Sequence, residues 1–153
     1  MINRLICILS FIGLLAWSCT KDEEKNPVVL TGLVIKTGRA CGWCAGRDSL
    51  TITKTQGYYG YYPACTGKIK NINEQTDTAQ WNALLDKLDL DKFKSIDINT
   101  CNLCVDGCDT WITIQKDDVI IHKIRFGDNS KEIEPIRTFV EELDTWRKAF
   151  KSK

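Results

Sequence analysis

An α+β fold, with a mainly antiparallel sheet of about four to six strands and two helices on one face, is what the order and spacing of the apolar residues predict. Three observations carry this. Short runs with period-two alternation, Ser49-Leu50-Thr51-Ile52-Thr53 and Thr110-Trp111-Ile112-Thr113-Ile114, have the pattern of half-buried strands. Two longer stretches repeat apolar residues at helical spacing, Trp81, Leu84, Leu85 and Leu88 in one, Ile136, Phe139, Val140, Leu143 and Trp146 in the other. The elements come in the order strands, helix, strands, helix, which lets hairpins build the sheet while helices cover one side.

In chain order, Val28-Val29-Leu30 and Leu33-Val34-Ile35, around Gly32, form a first strand rich in β-branched residues. Gly38 to Gly46 is expected to be a loop. Leu50 and Ile52 share a face of the next strand, and Gln56-Gly57 offers a hairpin turn into Tyr58 to Tyr62. Within that strand Tyr58 and Tyr62 share one face, with Tyr59 and Tyr61 on the other, so one pair should face solvent. Pro63 and Cys65 end it, and Lys68 to Ile72 makes another short strand. Thr76-Asp77-Thr78 supplies N-cap oxygens for the central helix, whose far end Phe93 and Ile96 seal. A second hairpin follows, Thr110 to Ile114 and Val119 to Phe126 around a turn at Lys116-Asp117-Asp118. Gly127 to Ser130 breaks the pattern, and Pro135 is placed as the first residue of the terminal helix.

The N-terminus has a different character. Arg4 precedes an apolar run from Leu5 to Trp17, and small Ser18 stands directly before Cys19. A secretory signal has this layout, and the run is shorter than the ~20 apolar residues of a membrane-spanning helix. Leu15-Ala16-Trp17-Ser18-Cys19 resembles the lipobox of bacterial lipoproteins, in which the cysteine is acylated, palmitate included, and becomes the first mature residue. That resemblance implies a signal peptide over 1–18, lipidation at Cys19, and a membrane anchor. The charged segment 19–27 is then a flexible tether to a single domain over 28–150. Its Lys21-Asp22-Glu23-Glu24 run resembles the export signal that directs some Gram-negative lipoproteins to the cell surface. The expected location is the cell envelope, lipid-anchored to the outer membrane; surface display is one reading of the charge run, and a run that only keeps the tether solvated, with the domain on the periplasmic side, is the other.

Charge narrows the partners. The chain has 21 Lys and Arg against 20 Asp and Glu, and loss of Arg4 with the signal makes the two equal. A neutral domain lacks the basic footprint of a nucleic-acid binder, so no nucleic acid is expected. The membrane is met through the lipid, which leaves an envelope protein or a glycan as the partner of the domain.

Cys7 leaves with the signal and Cys19 carries lipid. Six cysteines remain: Cys41, Cys44, Cys65, Cys101, Cys104 and Cys108. An even set in an exported chain points to disulfides, with 15 pairings open to six cysteines. Bridges between the loop before the central helix and the loop after it would tie the two hairpins together. Two other chemistries share the spacing. Cys41-x-x-Cys44 and Cys101-x-x-Cys104 could ligate one tetrahedral zinc ion. Cys41-Gly42-Trp43-Cys44 could instead be a thiol–disulfide exchange pair, although no helix follows to stabilise its thiolate.

Other candidates carry less. His122, the lone histidine, shares strand parity with Ile120, Ile124 and Phe126 and should point into the apolar layer. Asp106 and Asp109 offer hard oxygens, but the spacing is not that of an EF-hand, and a turn with exposed carboxylates is expected. Trp43, Tyr58, Tyr59, Tyr61 and Tyr62 are the candidate binding surface, since exposed aromatics give contact area at low entropy cost.

Cys41-Gly42-Trp43-Cys44 before Asp48-Ser49-Leu50-Thr51-Ile52, with a capped Leu-rich helix and a closing amphipathic helix, is similar to a family of small secreted or lipid-anchored bacterial domains of unknown function. The resemblance implies the α+β fold and an envelope location, and it implies no activity. A non-enzymatic binding or structural lipoprotein is the expectation, with no cofactor or metal and no catalytic residue assigned. The alternatives are an oxidoreductase at Cys41 and Cys44, or a zinc module.

Overall fold

The structure, a computed structural model, describes residues 32–153. The signal 1–18, Cys19, the tether 19–27 and Val28-Val29-Leu30 lie outside the described residues. Six strands form one sheet: β1 (Leu33–Cys41), β2 (Arg47–Ile52), β3 (Gln56–Tyr62), β4 (Lys70–Gln75), β5 (Cys108–Lys116) and β6 (Val119–Phe126). The order is β4-β3-β2-β1-β5-β6 and every neighbouring pair is antiparallel. Helices α1 (Thr78–Asp86) and α2 (Leu90–Ser95) carry the chain from edge strand β4 to β5 beside β1, and α3 (Arg137–Lys151) closes the chain. The fold is α+β.

Several element boundaries differ from the sequence expectation, each for a local reason. Gly38 to Cys41 is strand, because β2 and β5 both pair with this stretch and satisfy its backbone. The first hairpin turns at Thr53–Thr55, where the Thr53 hydroxyl accepts from the Thr55 and Gln56 amides at 3.3 and 3.0 Å, while Gly57 pairs with Ile52 inside β3. The central helix divides in two. Asp77 caps α1 through the Gln80 amide at 2.9 Å, and Asp89 caps α2 through the Lys92 amide at 3.0 Å. Two helices become three. Pro135 sits in a 3-10 turn, Lys131–Ile136, and α3 starts at Arg137. Asp117 and Asp118 hold the second hairpin with φ of 49° and 65°, the mirror-image turn that two-residue hairpins favour.

One face of the sheet is covered. Ile35, Leu50, Ile52, Tyr59, Ile112, Ile114 and Ile124 face Trp81, Leu84, Phe93, Ile136, Phe139, Leu143 and Phe150 from the helical layer, all buried. Burial of a side chain of this size is worth about 1.5–3 kcal/mol, so this layer dominates stability. Its polar exception is Asp48 on β2, which meets Arg147 of α3 at 2.5 Å; Arg147 also holds Asp144 at 2.6 Å. The Arg39 amide donates to the second Asp48 oxygen at 3.0 Å. The neighbouring Tyr59 hydroxyl, buried beside this carboxylate, is pushed up to about 12.

The six cysteines form three disulfides, Cys41–Cys108, Cys44–Cys65 and Cys101–Cys104. Only the first joins the loop before the helices to the loop after them. The other two are local to one side.

Two stability predictions follow from these contacts. Replacing Arg147 by Ala strands a buried carboxylate, and urea unfolding at neutral pH should show a loss of about 3–5 kcal/mol, against roughly 0.5 kcal/mol or less for exposed Lys92→Ala. Ser substitution of one bridge at a time should cost most at Cys41–Cys108, separated by 67 residues, less at Cys44–Cys65, separated by 21, and least at Cys101–Cys104, separated by 3. Loop entropy sets the scale at about 4, 3 and 2 kcal/mol, and the rank order of urea midpoints checks it.

Candidate functional site

The face of the sheet opposite the helices is bare, and strand register says what stands on it. One row across the strands reads Asn71, Gly60, Ser49, Gly38, Trp111 and Arg125. The next reads Asn73, Tyr58, Thr51, Lys36, Thr113 and Lys123, and at the other side Tyr62, Arg47, Ala40 and Asp109 align. A cleft of about 480 Å³ opens here, where Arg47, Tyr62, Trp111 and Arg125 line it together with the two acids Asp48 and Asp109. That volume lies within the usual range of small-ligand pockets.

Two aromatic rings lie close over glycines in its floor. A methyl built on Gly38 would stand 2.7 Å from Cζ2 of the Trp111 indole, and one on Gly60 would stand 3.1 Å from Cε2 of Tyr62. Without Cβ atoms at these two positions, the rings pack close against the backbone, and both residues are half-buried. The Arg47 guanidinium sits 5.4 Å from the centre of the Tyr62 ring, a cation–π contact that orients both.

The rim is a built structure. Residues 98–100 run beside β6, with the Thr100 amide donating to Arg125 O at 2.9 Å and the Arg125 amide to Ile98 O at 3.0 Å. A 3-10 turn, Asn102–Val105, then brings Leu103 over the cleft. Asp109, 2% exposed, anchors that turn. Its carboxylate accepts from Thr100 Oγ1 at 2.8 Å, the Asn102 and Leu103 amides at 3.0 Å each, and Asn102 Nδ2 at 3.1 Å. Burial alone would raise the Asp109 pKa, but the four donors outweigh it and hold the carboxyl below its usual range. Asp109 is thus a buried structural anchor, not the exposed turn carboxylate expected from sequence. Asp106 is exposed and closes the turn with φ of 61°.

The other expected site residues divide. Tyr58 and Tyr62 stand on the open face, Tyr58 donating to Asn71 Oδ1 at 3.2 Å. Tyr59 is wholly buried against the helices and cannot belong to a binding surface; its ring stacks near Phe150. Tyr61 is half-buried on the same covered side. Trp43 is 83% exposed at the pole where the disulfides gather, outside the cleft lining. Cys41 and Cys44 are bonded to Cys108 and Cys65, so they are not each other's exchange partner, and the four thiolates of a zinc site are committed elsewhere. Among the described residues no group of three or more His, Cys, Asp or Glu could hold a metal ion. His122 meets the Ile96 carbonyl at 2.7 Å and packs edge-on to Phe93, on the covered face.

Sequence reasoning missed Trp111, Arg47, Arg125, Lys36 and Lys123. The signal for Trp111 was its parity: it alternates with Ile112 and Ile114, so on a one-sided sheet it falls on the bare face. Comparison with family models and with curated proteins gives no match, which leaves function to be argued from geometry.

Asp109 yields a pH prediction. A carboxyl whose folded pKa lies below its unfolded value, ~3.9, stabilises the fold above that value and loses its contribution as pH falls through the folded pKa. Asp109→Asn should therefore lower the urea midpoint clearly at pH 7, and the gap to wild type should narrow at pH 3. An unchanged gap would show that the carboxylate's charge does not matter to the rim.

Proposed function

We propose that the chain is a lipid-anchored lipoprotein of the cell envelope, a non-enzymatic binding module that works through the cleft on its open sheet face. The observation that carries this is the cleft itself, in which Trp111 and Tyr62 pack over glycine backbone beside Arg47 and Arg125. Three disulfides support an oxidising compartment, in agreement with the lipobox around Cys19.

The direction of β1 supports it further. The described chain enters β1 at Leu33 and reaches the disulfide pole at Cys41, a span of roughly 26 Å at the usual strand rise. The cleft opens toward the Cys41 end, through Ala40, Arg47 and Tyr62. An anchor at Cys19 followed by a short tether then presents the cleft away from the membrane.

The exchange chemistry considered for Cys41 and Cys44 has one remaining location. Cys101–Cys104 is an exposed Cys-x-x-Cys disulfide that bridges no distant segments. Yet the Asn102 and Leu103 amides, the donors that could stabilise a thiolate there, are taken by Asp109. Binding is the better-supported role.

Two experiments test the proposal. Metabolic labelling with a palmitate analogue should mark the wild-type protein and not Cys19→Ser, which should leave the membrane fraction; equal labelling would refute lipidation. In a graded glutathione series followed by mass spectrometry, Cys101–Cys104 should open first while the domain stays folded. Turnover of a thiol substrate by that pair would favour the oxidoreductase instead.

A further inference from the structure

We infer that the ligand of the cleft is an acidic polysaccharide, a chain of pyranose rings bearing carboxylate or sulfate groups; this rests on the proposal that the open face is the binding surface. Charge distribution is the first ground. Arg39, Lys87, Lys92, Lys94, Arg137, Arg147, Lys148 and Lys153 each pair with an acid. All of these belong to the helices or to the covered side and edges of the sheet. On the open face Lys36, Arg47, Lys123 and Arg125 have no acidic partner among the described residues. The strands contain three acids, and Asp48 and Glu74 engage Arg147 and Lys153 on the covered side. The third, Asp109, has its carboxylate filled by four donors. Lys54, Lys68, Lys70, Lys116, Lys131 and Lys151 also lack an acidic partner among the described residues, but the open face is where two arginines without one line a cleft, and guanidinium forks suit carboxylate and sulfate oxygens.

Ring spacing is the second ground. Tyr62 lies over Gly60 in β3 and Trp111 over Gly38 in β1, with Ser49 of β2 between them in the same row. Two inter-strand steps put the plates roughly 9–10 Å apart, a separation suited to alternate rings of an extended pyranose chain crossing the strands. Aromatic rings match the apolar C–H faces of sugars, and exposed Asn73 and half-exposed Thr51 offer amide and hydroxyl partners to their oxygens. An acidic peptide would seek unpaired backbone at a sheet edge, whereas this cleft lies over paired central strands. Nucleic acid is a polyanion of the cytoplasm, and the disulfides argue for the oxidising side of the membrane.

The test is calorimetric titration of the full chain, purified in detergent, with hexagalacturonate, a sulfated hexasaccharide, cellohexaose, poly-glutamate and an oligothymidylate. Wild type should bind at least one of the two acidic saccharides, more weakly as salt rises, and cellohexaose at least roughly tenfold less. Trp111→Ala and Arg125→Gln should each weaken binding about tenfold, the scale of one charged hydrogen bond, while Lys92→Gln on the covered side leaves it unchanged. Intact mass showing three disulfides and an unchanged melting temperature keep misfolding apart from lost contacts. Equal binding of cellohexaose, weakened by Trp111→Ala, would overturn the acidic ligand and leave the cleft standing. Tighter binding of poly-glutamate or oligothymidylate, or no binding of either acidic saccharide, would overturn the ligand class. Acidic saccharide binding indifferent to both cleft variants would overturn the cleft as well.

Discussion

The nine-residue pairing of β1 with β5 is the constraint on which the rest of the molecule depends. It joins strands far apart in the chain, from Leu33 opposite Lys116 to Cys41 opposite Cys108. Its last step is covalent, because Cys41 and Cys108 are ladder partners and disulfide partners at once. Closing so long a loop carries an entropy cost before any contact rewards it. The apolar row Ile35, Ile112 and Ile114 offsets that cost on the covered face, and the disulfide removes part of it from the unfolded chain. The same pairing brings Gly38 under Trp111 and sets Ala40 beside Asp109, so the cleft is assembled by the contact that assembles the sheet.

The two faces of this sheet obey different rules. Under the helices the buried polar groups of the sheet are answered: Asp48 by Arg147 and the Arg39 amide, Thr37 by the Trp111 carbonyl at 3.0 Å, His122 by Ile96; buried Thr76 Oγ1, before α1, is the exception. Arg39 forks onto Asp128 at 2.5 and 2.7 Å and holds that carboxyl below its usual range. Such matching is what a low-dielectric layer demands, because an unpaired group there costs several times what a pair contributes. Solvent imposes no such demand on the open side. Cations without an acidic partner persist there at little cost to folding, and two of them, Arg47 and Arg125, share a cleft with Tyr62 and Trp111.

Much of the fold could be read from alternation alone. Leu50 and Ile52, then Ile112 and Ile114, announce buried faces, and the α3 stripe from Phe139 to Trp146 is core as its spacing implies. Boundaries were harder, since Gly38 to Cys41 becomes strand only through partners distant in sequence. Of the cleft, Tyr62 alone among the aromatics singled out was visible; Tyr58 stands on the same open face and Trp43 outside the lining. Tyr59 was not separable from Tyr58 by composition, because the choice of buried parity depends on which face α3 covers. The arginines escaped notice because a surface charge looks alike whether or not an acid stands beside it. Cysteine pairing escaped for the same reason: Cys41 and Cys44 are neighbours in sequence, but β-ladder register sends one to Cys108 and the turn after β3 takes the other.

The placement of the disulfides has a mechanical consequence. Force arriving along the chain at Leu33 enters β1 at the end without a cross-link and must leave through whatever the cleft holds at the other. β1 lies between β2 and β5, so such a load shears two ladders along their length at once instead of peeling one pair at a time. If the ladders yield, Cys41–Cys108 and Cys44–Cys65 still bound the slack that the chain can release. A load entering at Leu33 therefore meets a strand held along both sides and cross-linked at its far end.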